Sequence, residues 1–170
     1  MKRIMQLAVI ISLFTAPVLS SNAVLASNEY ENDQIICLAK NIYFEARGSS
    51  FADQVAVADV VMNRVEHDNY PNTICGVVYQ GRQDSNGNMI RHQCQFSWYC
   101  DGKSDEPTEP DSWARAIDIA TMVLEEDKFL GITDGADHYF ANWIDEEPHW
   151  AEHMIFIGNI GNHKFYRSYR

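Results

Sequence analysis

Apolar residues recur at three- and four-residue spacings in several parts of the chain, which is the pattern of an amphipathic helix. The first such segment covers about residues 33–47 and ends before Gly48, a natural helix stop. A second segment, residues 50–66, opens with an S-x-x-D capping pattern. A short helix is predicted at residues 73–79 and a longer one at about residues 112–126. The apolar pattern therefore predicts a mainly helical core.

The other segments lack this period. Residues 27–32 are polar and are expected to be loose. Residues 81–110 are rich in Gly, Asp, Asn and Pro, so we expect an irregular loop, with a turn at residues 84–88. No internal repeat is evident, and the predicted fold class is α+β, mainly helical, with one domain over residues 27–170. Short strands are predicted at residues 138–140, 155–157 and 163–166.

The N-terminus has the anatomy of a signal peptide. Two basic residues precede an apolar stretch, Ile4–Leu19, which falls short of the roughly 20 apolar residues that span a bilayer comfortably. Val24 and Ala26 occupy the −3 and −1 positions of a cleavage site, and a site after Ala23 is a close alternative. We predict that residues 1–26 are a cleaved signal peptide; an uncleaved N-terminal anchor is the alternative.

The 170-residue chain is acidic, with a formal net charge of −11. Removal of the leader takes away two of 13 Lys and Arg and none of 24 Asp and Glu, which leaves 11 against 24, or −13. Nucleic acid binding needs clustered basic residues, so nucleic acid is not an expected partner. Nor is a membrane, once the leader is removed. We expect an exported protein, periplasmic or extracellular.

Four cysteines, Cys37, Cys75, Cys94 and Cys100, lie in the predicted mature chain. An even number after a signal peptide favours disulfides, and four cysteines allow three pairings. We favour Cys94–Cys100, which closes a tight loop, together with Cys37–Cys75, which ties two helices. A zinc site is the alternative, but no C-x-x-C pair is present.

Glu45 is the strongest candidate for chemistry. It is expected in the last helical turn before Gly48, where the negative end of the helix dipole disfavours a carboxylate. The neighbouring aromatic residues Tyr43 and Phe44 would remove water from it. Both effects raise a carboxyl pKa and favour a general acid of the type used in glycoside cleavage. The alternative is a solvated glutamate that pairs with Arg47 or Lys40.

Five blocks of sequence, in this order, resemble the family of spore cortex-lytic enzymes and related bacterial and phage cell wall hydrolases. The resemblance covers about residues 36–168, and its specificity comes from the number and order of the blocks. They are Ile42-Tyr43-Phe44-Glu45-Ala46-Arg47-Gly48, Gln54 to Val65, Tyr70 to Gln80, Cys94-Gln95-Phe96-Ser97 and Ile160 to Tyr166.

The resemblance implies a compact lysozyme-like fold and cleavage of the bond between N-acetylmuramic acid and N-acetylglucosamine in peptidoglycan glycan strands. It implies that Glu45 is the catalytic acid of a lytic transglycosylase, without a cofactor or metal. We expect the protein to be a monomer. Ser49 departs from the family pattern, which often has Glu after the glycine of E-A-R-G; a contribution of that acid to activity would be missing here.

The same resemblance suggests substrate contacts. The Gln95 amide and the Ser97 hydroxyl, on either side of the Phe96 ring, suit contacts to a sugar. Phe96 is equally consistent with a core residue. The aromatic segment that begins at His138 is consistent with a cleft wall or with a strand packed on the core. The candidate substrate contacts are Tyr43, Gln95, Phe96, Ser97, His138, Tyr139 and Asn142.

One rival motif is present. His149, Glu152 and His153 fit the H-x-x-E-H pattern of inverted zinc peptidases. No third ligand is evident, and so short a pattern often arises by chance. The alternative functions are therefore a zinc-dependent amidase or peptidase that acts on peptidoglycan, and an inactive wall-binding domain.

Overall fold

The computed structural model describes residues 21–169, with side chains from residue 26 onward. In this part of the chain four α-helices are present: α1 Ser21–Ala46, α2 Phe51–Val65, α3 Ile74–Val78 and α4 Pro110–Glu125. The strands are β1 Gly81–Gln83, β2 Met89–Cys94, β3 His138–Ala141, β4 Ile155–Ile160 and β5 His163–Arg167, and two short 3-10 helices cover Ser97–Cys100 and His149–His153.

The helices form the main core. α1 packs against α2, α3 and α4, so it is the central element. Its inner stripe, with Leu38, Ala39 and Ile42 at three- and four-residue spacings, is fully buried. The predicted start of α2 is confirmed, because the Ser50 side chain accepts a hydrogen bond of 3.3 Å from the backbone N–H of Asp53. The mainly helical α+β prediction is confirmed.

α1 is longer than predicted. The expectation that residues 27–32 are loose is wrong, since α1 begins at Ser21 and residues 26–32 are exposed helix. Once the buried part of α1 has formed, each further helical residue adds one backbone hydrogen bond. The helix can therefore extend towards its N-terminus without contacts to the core. Residues 1–20 of the predicted signal peptide lie outside the described residues. Within the described chain, no helix combines the length and apolar character that a membrane span requires.

A three-stranded antiparallel sheet follows the helices in sequence. Its order is β3-β5-β4, with Tyr139 opposite Phe165 and Ile160 opposite His163. Phe165 is fully buried and packs with Ala56 and Val60 of α2, so this sheet closes over the second helix. The three predicted strands are confirmed, and together they place β3 and the β4–β5 turn beside the end of α1.

The prediction of an irregular loop over residues 81–110 is partly wrong, because β1 and β2 form an antiparallel hairpin there. The turn is confirmed: the Asp84 side chain accepts hydrogen bonds from the backbone N–H groups of Asn86 and Asn88, at 2.8 and 2.9 Å. The hairpin is largely exposed and polar, so it carries no alternation of apolar and polar residues that would reveal strands.

Both predicted disulfides are present. Cys37–Cys75 joins α1 to α3, and Cys94–Cys100 joins the end of β2 to the 3-10 helix that follows it. The second disulfide closes the loop that carries Gln95, Phe96 and Ser97.

Candidate active site

Glu45 lies in the last turn of α1, as predicted, with a partly buried side chain. It lines an open cavity of about 410 Å³. The other residues around this cavity are Phe44, Ala46, Arg47, Gly48, Ser49, Trp143 and Asn162. The carboxyl group therefore borders an open groove.

The pKa of Glu45 is raised above its usual value. Burial is the main cause, because it removes water that would solvate the charged form. The nearby Tyr139 hydroxyl and the charges of His163 and Arg64 act in the opposite direction, but they do not outweigh burial. The site thus favours a protonated carboxyl group at the cavity edge, which is what a general acid requires.

Tyr139, on β3, is a polar neighbour of Glu45. Its hydroxyl oxygen is buried and lies beside the Glu45 carboxyl without the geometry of a formed hydrogen bond. Burial, followed by the negative charge of Glu45, raises the Tyr139 pKa well above its usual value. The hydroxyl therefore stays protonated, and its proton is available to the carboxylate when Glu45 ionises.

Arg64 supplies a buried positive charge next to this pair. Its side chain is on α2 and is only 4% exposed. Nε donates a hydrogen bond of 2.7 Å to the carbonyl of Asp137, and the guanidinium lies 5.0 Å from the Phe96 ring centre. Nη1 is buried and has no partner. Sequence reasoning assigned Arg64 no chemical part, although an arginine within the apolar stripe of a helix was a usable signal.

A buried pair, Asp53 and His163, fixes the turn that carries Asn162, a residue that lines the Glu45 cavity. His163 Nδ1 and Asp53 Oδ1 are 2.7 Å apart, and Asp53 Oδ2 accepts a hydrogen bond of 3.0 Å from the backbone N–H of Asn162. Burial alone would raise the pKa of Asp53, but these hydrogen bonds and the His163 charge lower it. Gly161 has a φ of +53°, and a Cβ there would lie 2.6 Å from the Asp53 Cβ, so the turn needs glycine.

Gln54 holds the turn after Glu45. Its Nε2 donates to the carbonyls of Ala46 at 3.0 Å and of Arg47 at 3.4 Å, at the end of α1, where the Ala46 carbonyl also accepts a hydrogen bond of 2.9 Å from the backbone N–H of Ser49. Gln54 is 2% exposed, so this amide is fixed by the core. The position of the Glu45 backbone is thereby tied to α2.

Two predicted substrate contacts are buried instead. Tyr43 is 2% exposed, and its hydroxyl accepts hydrogen bonds from the backbone N–H groups of Thr108 and Glu109, at 3.0 and 3.1 Å. Phe96 is 3% exposed, beneath the Arg64 guanidinium. The prediction that these two rings contact substrate is not supported by the structure, because neither presents a surface to a ligand; both support neighbouring segments.

His138 lies on the opposite face of the sheet from its neighbour Tyr139, since side chains alternate along a strand. Its Nδ1 is 3.0 Å from Asp137 Oδ1, and its ring packs 5.1 Å from Trp150. Asp137 lines a different cavity, of about 630 Å³, whose lining does not include Glu45. The structure therefore places His138 away from Tyr139, and His138 does not line the Glu45 cavity; its contact with substrate stays a prediction.

The other candidates are closer to expectation. Gln95 and Ser97 are exposed on either side of the buried Phe96 ring. Asn142 Nδ2 donates to the carbonyl of Gly161 at 3.1 Å, beside the turn that holds Asn162. Trp143 was missed by sequence reasoning: it is 65% exposed and lines the Glu45 cavity. Its exposure, the one signal that distinguishes it from a core aromatic residue, is not readable from the sequence.

The H-x-x-E-H residues form an exposed 3-10 turn, His149–His153. None of its three polar side chains lines the cavity that contains Glu45. The structure thus separates the rival motif from the carboxyl group with the raised pKa.

Known proteins are similar to this chain in sequence and fold. The sequence model of the Cell Wall Hydrolase family matches residues 48–166. A spore cortex-lytic enzyme of Halalkalibacterium halodurans is 37% identical over 142 residues, which cover 80% of this chain and 35% of that protein. A spore cortex-lytic enzyme of Bacillus cereus is 42% identical over 55 residues, or 32% of this chain and 21% of that protein. The chain spans about a fifth to a third of the length of these curated relatives.

Two solved structures are similar. The catalytic domain of the Bacillus cereus SleB protein has a TM-score of 0.57 and 26% identity, covering 80% of this chain and 91% of that domain. The catalytic domain of the germination-specific lytic transglycosylase SleB from Bacillus anthracis gives the same TM-score and identity over 79% of this chain and 94% of that domain. These similarities confirm the predicted lysozyme-like α+β fold. The family match runs from just after Glu45 to β5, and the chain therefore belongs to the cell wall hydrolase family.

Proposed function

We propose that this protein is an exported lytic transglycosylase that cleaves the bond between N-acetylmuramic acid and N-acetylglucosamine in peptidoglycan, with Glu45 as the catalytic acid and base. One observation carries the proposal: a glutamate with a raised pKa borders an open cavity. Family membership supports the substrate class, and similarity to the Bacillus anthracis lytic transglycosylase supports the reaction type.

The reaction needs one carboxyl group that works twice. Protonated Glu45 donates its proton to the glycosidic oxygen as the bond from that oxygen to the anomeric carbon breaks, and an oxocarbenium-like state develops. The C6 hydroxyl of the same muramic acid residue then bonds to the anomeric carbon. Its proton passes to the Glu45 carboxylate, which restores the acid. The products are a free 4-hydroxyl group and a 1,6-anhydro sugar, and no water is consumed.

The cavity suits a mechanism with a single carboxylate. Among the residues that line it, Glu45 is the one acidic side chain. The nearby Asp53 is buried, and both of its oxygens are engaged by His163 and Asn162. Hydrolases of the two-carboxylate type need a second carboxylate, which activates water or attacks the sugar. The surroundings of Glu45 therefore favour internal attack by the sugar hydroxyl.

Tyr139 and Arg64 serve the ionised form of Glu45. After protonation of the leaving group the carboxylate is negative in a site with little water. The free Tyr139 hydroxyl proton and the buried Arg64 charge both stabilise that anion, which limits the desolvation penalty during the reaction. Tyr139 and Arg64 position Glu45 and lower its pKa, whereas Glu45 itself transfers the proton.

Trp143 offers the glycan strand a surface. An exposed indole at the cavity edge presents a flat apolar face to the CH groups of a sugar ring, and its N–H remains available to hydroxyl or N-acetyl oxygens. Gln95, Ser97 and Asn142 are proposed to add polar contacts from the surrounding loops. Export by a cleaved leader at residues 1–26 is part of the proposal, and two disulfides are consistent with an oxidising compartment.

Mass spectrometry of digested peptidoglycan tests the reaction type. We expect muropeptides that end in a 1,6-anhydro sugar, and equal product formation with and without EDTA. Reducing ends would identify a hydrolase that uses water. Free stem peptides, lost on treatment with EDTA, would instead identify the zinc-dependent amidase.

A further inference from the structure

A cluster of two histidines and one glutamate projects from the 3-10 turn between β3 and β4. The potential ligand atoms of His149, Glu152 and His153 all lie within 4.8 Å of one another. His149 Nδ1 is 3.7 Å from Glu152 Oε2, and the two imidazole ring centres are 5.3 Å apart. Residues i and i+3 are eclipsed in a 3-10 helix, so the backbone places His149 and Glu152 on one face, and the His153 ring comes close to them from the next position.

The turn beneath the cluster is anchored. Ala151 is 6% exposed, and Trp150 packs against Phe140 and Tyr166 with ring centres 5.7 and 5.6 Å away. The backbone that carries the three donors is therefore held by the core. The donors themselves are exposed, with the His149 and Glu152 side chains 85% and 71% accessible. Small side-chain rotations can bring them to the separation of about 3.4 Å that a tetrahedral zinc ion requires.

The donor set selects the kind of metal. Two imidazole nitrogens and one carboxylate oxygen suit Zn²⁺ and similar transition metals, whereas Ca²⁺ and Mg²⁺ prefer oxygen ligands. The exposed acidic residues Asp145 and Glu146 precede the turn, followed by Glu147, which pairs with Lys164. The chain has a net charge of −11, which favours a cation.

We propose that His149, Glu152 and His153 bind one Zn²⁺ ion, with water as the fourth ligand, and that this ion stabilises the turn and takes no part in glycan cleavage. The binding site is inferred from the geometry of the cluster and from the anchored backbone beneath it. None of the three ligands lines the cavity that contains Glu45, which places the metal outside the reaction. The segment that the ion would hold connects β3 to β4 and also carries Trp143.

Zinc titration of the full-length protein tests the site. The protein, prepared without a histidine tag and treated with chelator, is titrated with zinc sulfate by calorimetry. We expect saturable binding of one ion per chain, and at least tenfold weaker affinity in His149→Ala and in His153→Ala. Zinc is expected to raise the Tm of the wild type and not of the double variant. His92→Asn is the matched control: it removes an exposed histidine elsewhere at a position with φ of 60°, which Asn tolerates, and it should bind zinc normally.

Two results would overturn the site. One is the absence of saturable binding, and the other is equal affinity in the wild type and the His149→Ala, His153→Ala double variant. Since both histidines are exposed, their removal should leave the fold intact, and circular dichroism of the variants checks this. Absorption by Co²⁺ gives an independent readout: intense visible bands indicate a four-coordinate site, and the weak spectrum of aqueous Co²⁺ contradicts it.

Discussion

Glu45 is a single ionisable group whose surroundings decide whether it can act. It sits at the negative end of α1, next to the Phe44 ring and the Tyr139 hydroxyl, and burial is the strongest influence on its pKa. The same burial that makes the acid effective makes its charged form unfavourable, so chemistry and stability depend on pH in linked ways.

The first prediction concerns this linkage. Because the pKa of Glu45 is raised in the folded protein, the stability due to its protonated form is lost as the pH rises through the folded value. Gln at this position does not ionise, so Glu45→Gln does not lose stability in this way. Its Tm should therefore exceed that of the wild type in alkaline buffer. The two should converge at acidic pH, below the ordinary glutamate value of 4.5. Thermal melts of both proteins across pH measure the difference; parallel curves would mean that Glu45 is solvated.

The second prediction concerns Trp143. Loss of its exposed ring in Trp143→Ala should raise the substrate concentration needed for half-maximal rate by about 2- to 13-fold, the equivalent of about 0.5–1.5 kcal/mol of aromatic contact. The maximal rate and the Tm should change little, because the side chain is 65% exposed. Trp143→Phe, which keeps a ring, is the control. Identical kinetics in all three proteins would remove Trp143 from the substrate path.

At the scale of elements, the site is an assembly of the end of α1, the start of α2, β3 and the β4–β5 turn. The contacts that join them are polar: Gln54 binds the end of α1, Arg64 donates to the segment before β3, and Asp53 binds the β4–β5 turn and the start of β5. α2 therefore organises the cavity, although Glu45 itself belongs to α1.

The third prediction tests the contact between α2 and β5. Asp53→Asn weakens a charged hydrogen bond to His163, so we expect about 1.5–3 kcal/mol lower free energy of unfolding, together with reduced activity. Urea denaturation and muropeptide release provide the two measurements. Asp118→Asn, at an exposed position on α4, should change neither. An unaltered stability of Asp53→Asn would show that the buried pair does not support the site.

The fourth prediction compares the disulfides. In the chain-entropy treatment, stabilisation grows with the closed loop, and the sequence separations are 38 for Cys37–Cys75 and 6 for Cys94–Cys100. Replacement of the first pair by alanine should therefore destabilise the protein by about 4 kcal/mol and replacement of the second by about 2 kcal/mol. Denaturant midpoints of the two double variants decide the order; a reversed order would contradict this loop-length argument.

At the scale of the whole molecule, local signals predicted what local forces determine. The cap at Ser50 and the apolar stripes of the helices followed from short-range pattern, and the structure confirms them; it also confirms the favoured one of the three possible cysteine pairings. The β1–β2 hairpin was missed because its strands are exposed and polar. The helical start of α1 was missed because it depends on propagation from a packed segment.

Only part of the candidate site could be predicted from the sequence, for the same reason. Glu45 stands out from its own segment, but its partners Arg64 and Tyr139 come from distant parts of the chain and meet only in the fold. Aromatic residues were the main source of error: Tyr43 is buried and Trp143 is exposed, and sequence does not distinguish the two. Exposure is a property of the whole molecule, so local pattern cannot supply it.

The most direct test of the account is the rate of muropeptide release from purified peptidoglycan by Glu45→Gln at neutral pH. The control is Glu146→Gln, which changes an exposed glutamate outside the Glu45 cavity. We expect the control to match the wild type and Glu45→Gln to lose activity by about 10²- to 10⁴-fold or more, because the amide has no proton to donate. Release by a folded Glu45→Gln protein at the wild-type rate would contradict the central claim.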